Sequence, residues 1–157
     1  MKNHTICVFT ENSPGVLQRL TVNFTRRKIN IESLTVSETE KEGISRFTIV
    51  IKSEREQIDI IAKQIKRIIE VRDVFVAEDD SLLFKEIAFY KIASDKTKRA
   101  EVEELAHRYQ ATISHVEEKH LIVEKIATEE QIDSFYLLLE PYGIKEFVRS
   151  GRIAMTL

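Results

Sequence analysis

The spacing of hydrophobic residues changes period several times along this chain, and each change marks an element. Residues 4–10 (His-Thr-Ile-Cys-Val-Phe-Thr) form a short apolar run, followed by the polar turn Asn12-Ser13-Pro14-Gly15. Val16, Leu17, Leu20 and Phe24 then recur at helical spacing, which predicts a helix over 16–27 with Ser13 as its N-cap and Pro14 in its first turn. Residues 29–36 read as a second strand, 37–43 as a charged hairpin loop, and 45–52 as an alternating third strand. Ile58, Ile61, Ile65, Ile68 and Ile69 stripe a second helix, and 71–78 closes as a fourth strand. The order is βαββαβ.

The same order then repeats. Residues 86–92 predict a strand, and Val102, Leu105, Ala106 and Tyr109 stripe a helix. A hairpin follows over 111–117 and 120–125 around Glu118-Lys119. Ile132, Phe135, Tyr136 and Leu139 stripe a last helix that Pro141-Tyr-Gly143 stops, and 144–150 is the final strand. The fold class is therefore α+β: two ferredoxin-like βαββαβ sandwiches, divided as 1–79 and 80–157. Strand one is apolar on both parities, Ile6 and Val8 against Cys7 and Phe9, and strand three shows Thr48 and Val50 opposite Phe47, Ile49 and Ile51. A sheet with one face in water alternates more cleanly. Something is expected to cover the second face, either another copy of the chain or a sheet edge extended across a dimer.

Composition narrows the function classes. Of 157 residues 43% are hydrophobic, and 24 basic residues against 26 acidic ones leave a net charge of −2, so nothing draws the chain to nucleic acid or an anionic membrane. The one cysteine, Cys7, excludes an internal disulfide framework. No apolar run has the length of a membrane span, and the N-terminus lacks the apolar core of a signal peptide, so a cytoplasmic protein is expected. Dinucleotide, P-loop, zincin and serine-elbow motifs are missing from the sequence, which leaves enzyme chemistry without equipment.

The best candidate site is the turn 12–15 with the helix start after it. Backbone N–H groups at such a turn suit the carboxylate of a small ligand, and Gly15 permits close approach to the main chain. The same turn also serves as an ordinary strand-to-helix connection. Asn30 interrupts the apolar start of strand two, where its amide suits an ammonium and carboxylate, or else simply bonds its own backbone. His115 and His120 face each other across the hairpin with only Glu117 and Glu118 near, which reads as solvated side chains rather than a metal site. Cys7 reads as a core thiol, and the basic runs 26–28 and 63–67 as solvated helix faces.

The string 11–19, Glu-Asn-Ser-Pro-Gly-Val-Leu-Gln-Arg, followed by Asn30-Ile-Glu-Ser-Leu-Thr-Val36 and Ser45-Arg-Phe-Thr-Ile49, resembles the small regulatory subunit of acetolactate synthase (acetohydroxyacid synthase). Glu86-Ile-Ala-Phe-Tyr-Lys-Ile92 and Arg149-Ser-Gly-Arg152 fit the same family. The resemblance implies an N-terminal ACT domain and a non-catalytic role in branched-chain amino acid biosynthesis. It implies partnership with the large catalytic subunit, which carries thiamin diphosphate, Mg and FAD, while this chain binds no cofactor and no metal. Activation of that subunit and feedback inhibition by valine or a related amino acid are further implications, as is a homodimer through the ACT domains. The effector would meet the turn residues Asn12, Ser13, Pro14, Gly15, Val16 and Leu17 from one side and Asn30 and Ile31 from the facing protomer. The alternative is a free-standing ACT-type amino-acid sensor acting on another enzyme or on transcription, although no DNA-reading helix-turn-helix is visible.

Overall fold

The computed structural model describes residues 2–93 and 96–157, which separate into two units, Met1–Phe84 with Arg152–Leu157, and Lys85–Gly151. In the first unit β1 (Lys2–Glu11), α1 (Val16–Thr25), β2 (Ile31–Glu38), β3 (Ile44–Ser53), α2 (Arg55–Ile65) and β4 (Val71–Ala77) follow the βαββαβ order. The antiparallel sheet runs β2-β3-β1-β4. Ile6 and Val8 of β1 and Phe47, Ile49 and Ile51 of β3 pack with Val16, Leu20 and Phe24 of α1 and Ile58, Ile61 and Ile65 of α2 in one buried cluster. Period two in the strands and period three to four in the helices thus meet in a single apolar layer.

Two boundaries differ from the sequence reading. Helix α1 starts at Val16 with Gly15 as its N-cap in the left-handed region (φ 84°), and no side chain caps it, so Ser13 is not the cap and Pro14 lies outside the helix. Helix α2 ends at Ile65, and Ile69, at the end of the isoleucine stripe, is 92% exposed. The stripe outruns the helix because Ile68 donates to the Ile65 carbonyl and Val71 to the Ile68 carbonyl in consecutive tight turns.

The second face of the first sheet is covered by the chain's own last residues. Thr5 and Cys7 of β1 and Thr48 and Val50 of β3 are all buried there. Arg152, 1% exposed, donates from Nη1 to Asp79 Oδ1 (2.6 Å) and Thr5 Oγ1 (3.3 Å), and its guanidinium lies 4.0 Å from the centre of the Phe84 ring. Thr35 Oγ1 donates to the Arg152 carbonyl at 2.5 Å, and the Arg46 guanidinium donates to the Ala154 carbonyl and, at 3.4 Å, to Cys7 Sγ. Ala154 packs with Ala77 and Leu82. The apolar second face therefore does not call for another copy of the chain. The strand β9 (Ile153–Thr156), which pairs with β5, was not expected: four residues without a clear period carry too little pattern to announce a strand.

In the second unit β5 (Leu82–Ala93, its first residues belonging to the first unit), α3 (Lys96–Arg108), β6 (Thr112–Val116), β7 (His120–Ala127), α4 (Glu129–Leu139) and β8 (Ile144–Arg149) repeat the order, with strands arranged β6-β7-β5-β8. Ala88, Tyr90 and Ile92 of β5 and Leu121 and Val123 of β7 face Val102 and Ala106 of α3 and Ile132, Phe135 and Leu139 of α4. The Tyr90 hydroxyl donates to the Ile132 carbonyl at 2.9 Å while its ring meets Phe135 edge-on at 5.4 Å, and burial pushes the phenol well above its ordinary pKa. Gly143, in the left-handed region (φ 84°), ends the tight turn after α4, as the Pro-Tyr-Gly sequence predicts. The structure puts the division between units at 84/85, five residues beyond the expected 79/80, and returns residues 152–157 to the first unit.

Candidate functional site

The turn after β1 is fixed from both sides. Glu11 N–H donates to the Glu70 carbonyl and Asn12 N–H to the Gly43 carbonyl, both at 2.8 Å, which ties the loop to the neck of β4 and to the β2–β3 hairpin. Ser13 N–H bonds the Glu11 carbonyl at 3.0 Å. Beyond it Asn12, Pro14, Gly15 and Leu17 are exposed, whereas Val16 is buried under α1. The first N–H groups of any α-helix lack intrahelical acceptors, and here no side chain caps them. A rigid loop thus presents open backbone donors and the positive end of α1 to solvent.

Gly15 is required by conformation more than by space. Its φ of +84° is strained for an L side chain, and an added Cβ would stand 3.1 Å from Arg19 Nη1. The Arg19 guanidinium curls over the turn, bonding Glu70 Oε1 at 2.5 Å and approaching the Pro14 carbonyl at 3.4 Å. Arg19, which ends the Glu-Asn-Ser-Pro-Gly-Val-Leu-Gln-Arg string, lies beside the turn, a neighbour that the turn-centred reading passed over. It places a guanidinium, paired with Glu70, beside the open N–H groups.

Asn30 and Ile31 are not beside this turn within one chain. Ile31 is in register with Ile51, and Ile51 with His4, whereas the turn follows Glu11. Seven residues of strand separate the two levels, about 23 Å at a rise of ~3.3 Å per residue. Asn30 is exposed at the head of β2, an edge strand, and Ile31 packs partly against the helix-side cluster.

The remaining chemistry-bearing residues sort quickly. His115 Nε2 and His120 Nε2 lie 3.0 and 3.3 Å from the two oxygens of Glu117, and the hydrogen bond from His115 and the charge of His120 hold that exposed carboxyl below its usual range. Among the described residues no group of three or more His, Cys, Asp or Glu side chains is arranged to hold a metal ion. Cys7 is fully buried. Among the described residues no helix is long and apolar enough to cross a membrane.

Comparison with known proteins decides the family. Residues 6–73 match the family model described as AHAS small subunit-like ACT domain, and residues 85–157 match that of the small subunit of acetolactate synthase. The chain belongs to the acetolactate synthase small-subunit family. It is 38% identical over 152 residues to the probable acetolactate synthase small subunit of Archaeoglobus fulgidus, covering 97% of this chain and 95% of that one. It is 35% identical over 153 residues to the acetolactate synthase small subunit of Mycolicibacterium smegmatis, covering 98% and 90%. The crystal structure of the Thermotoga maritima small subunit superposes with a TM-score of 0.91 at 29% identity, covering 100% of this chain and 98% of that one. The first unit is accordingly an ACT domain, and the chain is a regulatory small subunit of the acetolactate synthase family.

Proposed function

We propose that this chain binds and activates the thiamin-diphosphate-dependent large subunit of acetolactate synthase and imposes feedback inhibition by valine or a related branched-chain amino acid. The observation that carries the effector site is the clamped, uncapped turn 12–15 with Arg19 beside it. Its N–H groups and the guanidinium receive the ligand carboxylate, and the exposed Leu17 receives the aliphatic side chain, Val16 being buried in the core.

Sheet topology supports a site completed by a second copy. β2 is an edge strand, so antiparallel pairing of β2 with its counterpart in another chain builds one continuous sheet. A two-fold axis near the middle of β2 sets the partner copy's residue 31 against Glu38. Glu38 is in register with Ser45, and Ser45 with Thr10, at the turn end of the sheet. The separation of about 23 Å within one chain disappears between two. Asn30 of the second copy then supplies the amide for the ammonium group.

A ligand of about eight heavy atoms supports a binding free energy of about −5 to −6 kcal/mol, a dissociation constant on the order of 100 μM. Inhibition further requires that the ligand favour one arrangement of the complex over another. The test is acetolactate formation by the cognate large subunit, with and without this chain, across a valine titration. Stimulation reversed by valine is the expected result; no stimulation of a competent large subunit would remove the proposed partnership. Gly15→Asp is expected to keep the stimulation and abolish the valine response, since a carboxylate then opposes the ligand's own.

A further inference from the structure

We propose that the cavity between α3, β7 and α4 of the second unit is a binding site for a small organic anion, a carboxylate or a phosphate, anchored on Lys125. The cavity measures about 570 Å³ and is lined by Lys85, Arg108, Lys125, Gln110, Gln131 and Ser134, with Phe135 and Leu138 forming its apolar side. Lys125 is only 8% exposed. Its Nζ donates to the Tyr109 carbonyl at 2.5 Å and stands 5.0 Å from the centre of the Phe135 ring. Both partners are neutral. The charge acting on it is another cation, Lys85, which adds to burial in holding the ammonium below its ordinary pKa.

A buried ammonium beside a second cation is costly unless an anion joins them. Of the other lining residues, Arg108 already pairs with Glu104 at 2.6 Å, and Glu130 is the single carboxylate, against three cations. Glu130 uses its backbone carbonyl to accept from Ser134 at 2.7 Å. The Gln131 carboxamide oxygen accepts from Thr128 N–H at 3.2 Å, so its NH₂ is the group left to meet a ligand oxygen. An anion with a short apolar body fits this set: its charge between Lys125 and Lys85, its oxygens on Gln131 or Gln110, its carbon atoms on Phe135 and Leu138. The site is separate in sequence and in unit from the turn 12–15 and does not rest on the function proposed there.

The test is an amide NMR titration of the full chain with inorganic phosphate and, separately, isobutyrate, at ionic strength held constant with sodium chloride. Saturable shifts at Gln110, Gln131 and Ser134, with a dissociation constant that Gly15→Asp leaves unchanged, are expected for at least one probe, and the probe that saturates distinguishes phosphate from carboxylate chemistry. Lys125→Met and Lys85→Met are each expected to raise the dissociation constant about tenfold. Lys85→Met stands as the independent variant should Lys125→Met fold poorly. Absence of saturation with both probes would overturn the proposal, and so would saturation that neither variant weakens.

Discussion

Among the described residues each unit buries one long cation, and the two are treated differently. Arg152 in the first unit is held by Asp79, Thr5 and the Phe84 ring, so a carboxylate balances its charge. Lys125 in the second unit has a carbonyl, a ring and a neighbouring lysine. A balanced charge closes a structure, and Arg152 fastens the last six residues over a sheet face that would otherwise be exposed. An unbalanced charge leaves room for something else to supply the counter-ion. The sheet faces differ in the same way: Cys7, Thr48 and Val50 are covered in the first unit, while Phe89, Ile126 and Val148 are exposed in the second.

The comparison breaks most visibly when the fastening is removed. Deleting residues 152–157 is expected to cost on the order of 3 kcal/mol, lowering Tm by about 10 °C in a thermal melt. It is also expected to make the Cys7 thiol titratable by a disulfide reagent under native conditions. An unchanged melt would show that the covering strand contributes no stability. A fragment ending at Glu78 carries the same exposed face and is expected to melt below the full chain's first unit.

Arg152→Met is the narrower lesion and is expected to cost about 2 kcal/mol, because Asp79 is partly exposed and rehydrates when left alone. Lys125→Met is the matching change in the second unit. It is expected to shift Tm by less than about 2 °C, or to raise it, since it removes a buried charge whose contacts, the Tyr109 carbonyl and the Phe135 ring, are neutral. Equal losses in the two variants would erase the distinction. Tyr90→Phe is expected to cost about 1 kcal/mol through the lost bond to the Ile132 carbonyl.

The smallest effect is in pH dependence. The folded pKa of Lys125 lies below its unfolded value near ~10.4, so between those two values the unfolded chain binds more protons and stability rises with pH. That alkaline rise is expected to vanish in Lys125→Met and to flatten in the wild-type chain when a bound anion restores the pKa. Urea melts at a series of pH values read it directly.

The sequence made the regular elements legible wherever apolar periodicity ran for five residues or more, as at Ile58, Ile61 and Ile65 or at Phe47, Ile49 and Ile51. It also located the turn 12–15, because Asn, Ser, Pro and Gly are the residues that such a turn demands. Two features escaped. The four residues of β9 and the arginine that fastens them show no period, and their partners Thr5 and Asp79 lie 147 and 73 positions away. Arg19 folds back over Gly15 by a side-chain path that spacing does not encode. The first-strand residues Cys7 and Phe9 announced a covered face, but the cover expected from them, another copy of the chain, is supplied instead by residues 152–157 of the same chain.

In the proposed dimer the effector site of the ACT unit is shared between two copies of the chain. Gly15→Asp and Asn30→Ala chains, each purified, then unfolded together and refolded as a mixture, test it by calorimetric valine stoichiometry. Each variant alone is expected to bind no valine. In the mixture about half of the dimers contain one copy of each, and every such dimer has one site with both lesions and one intact. The account therefore requires recovery of about a quarter of the wild-type sites, with wild-type affinity. A mixture as silent as its components would contradict it.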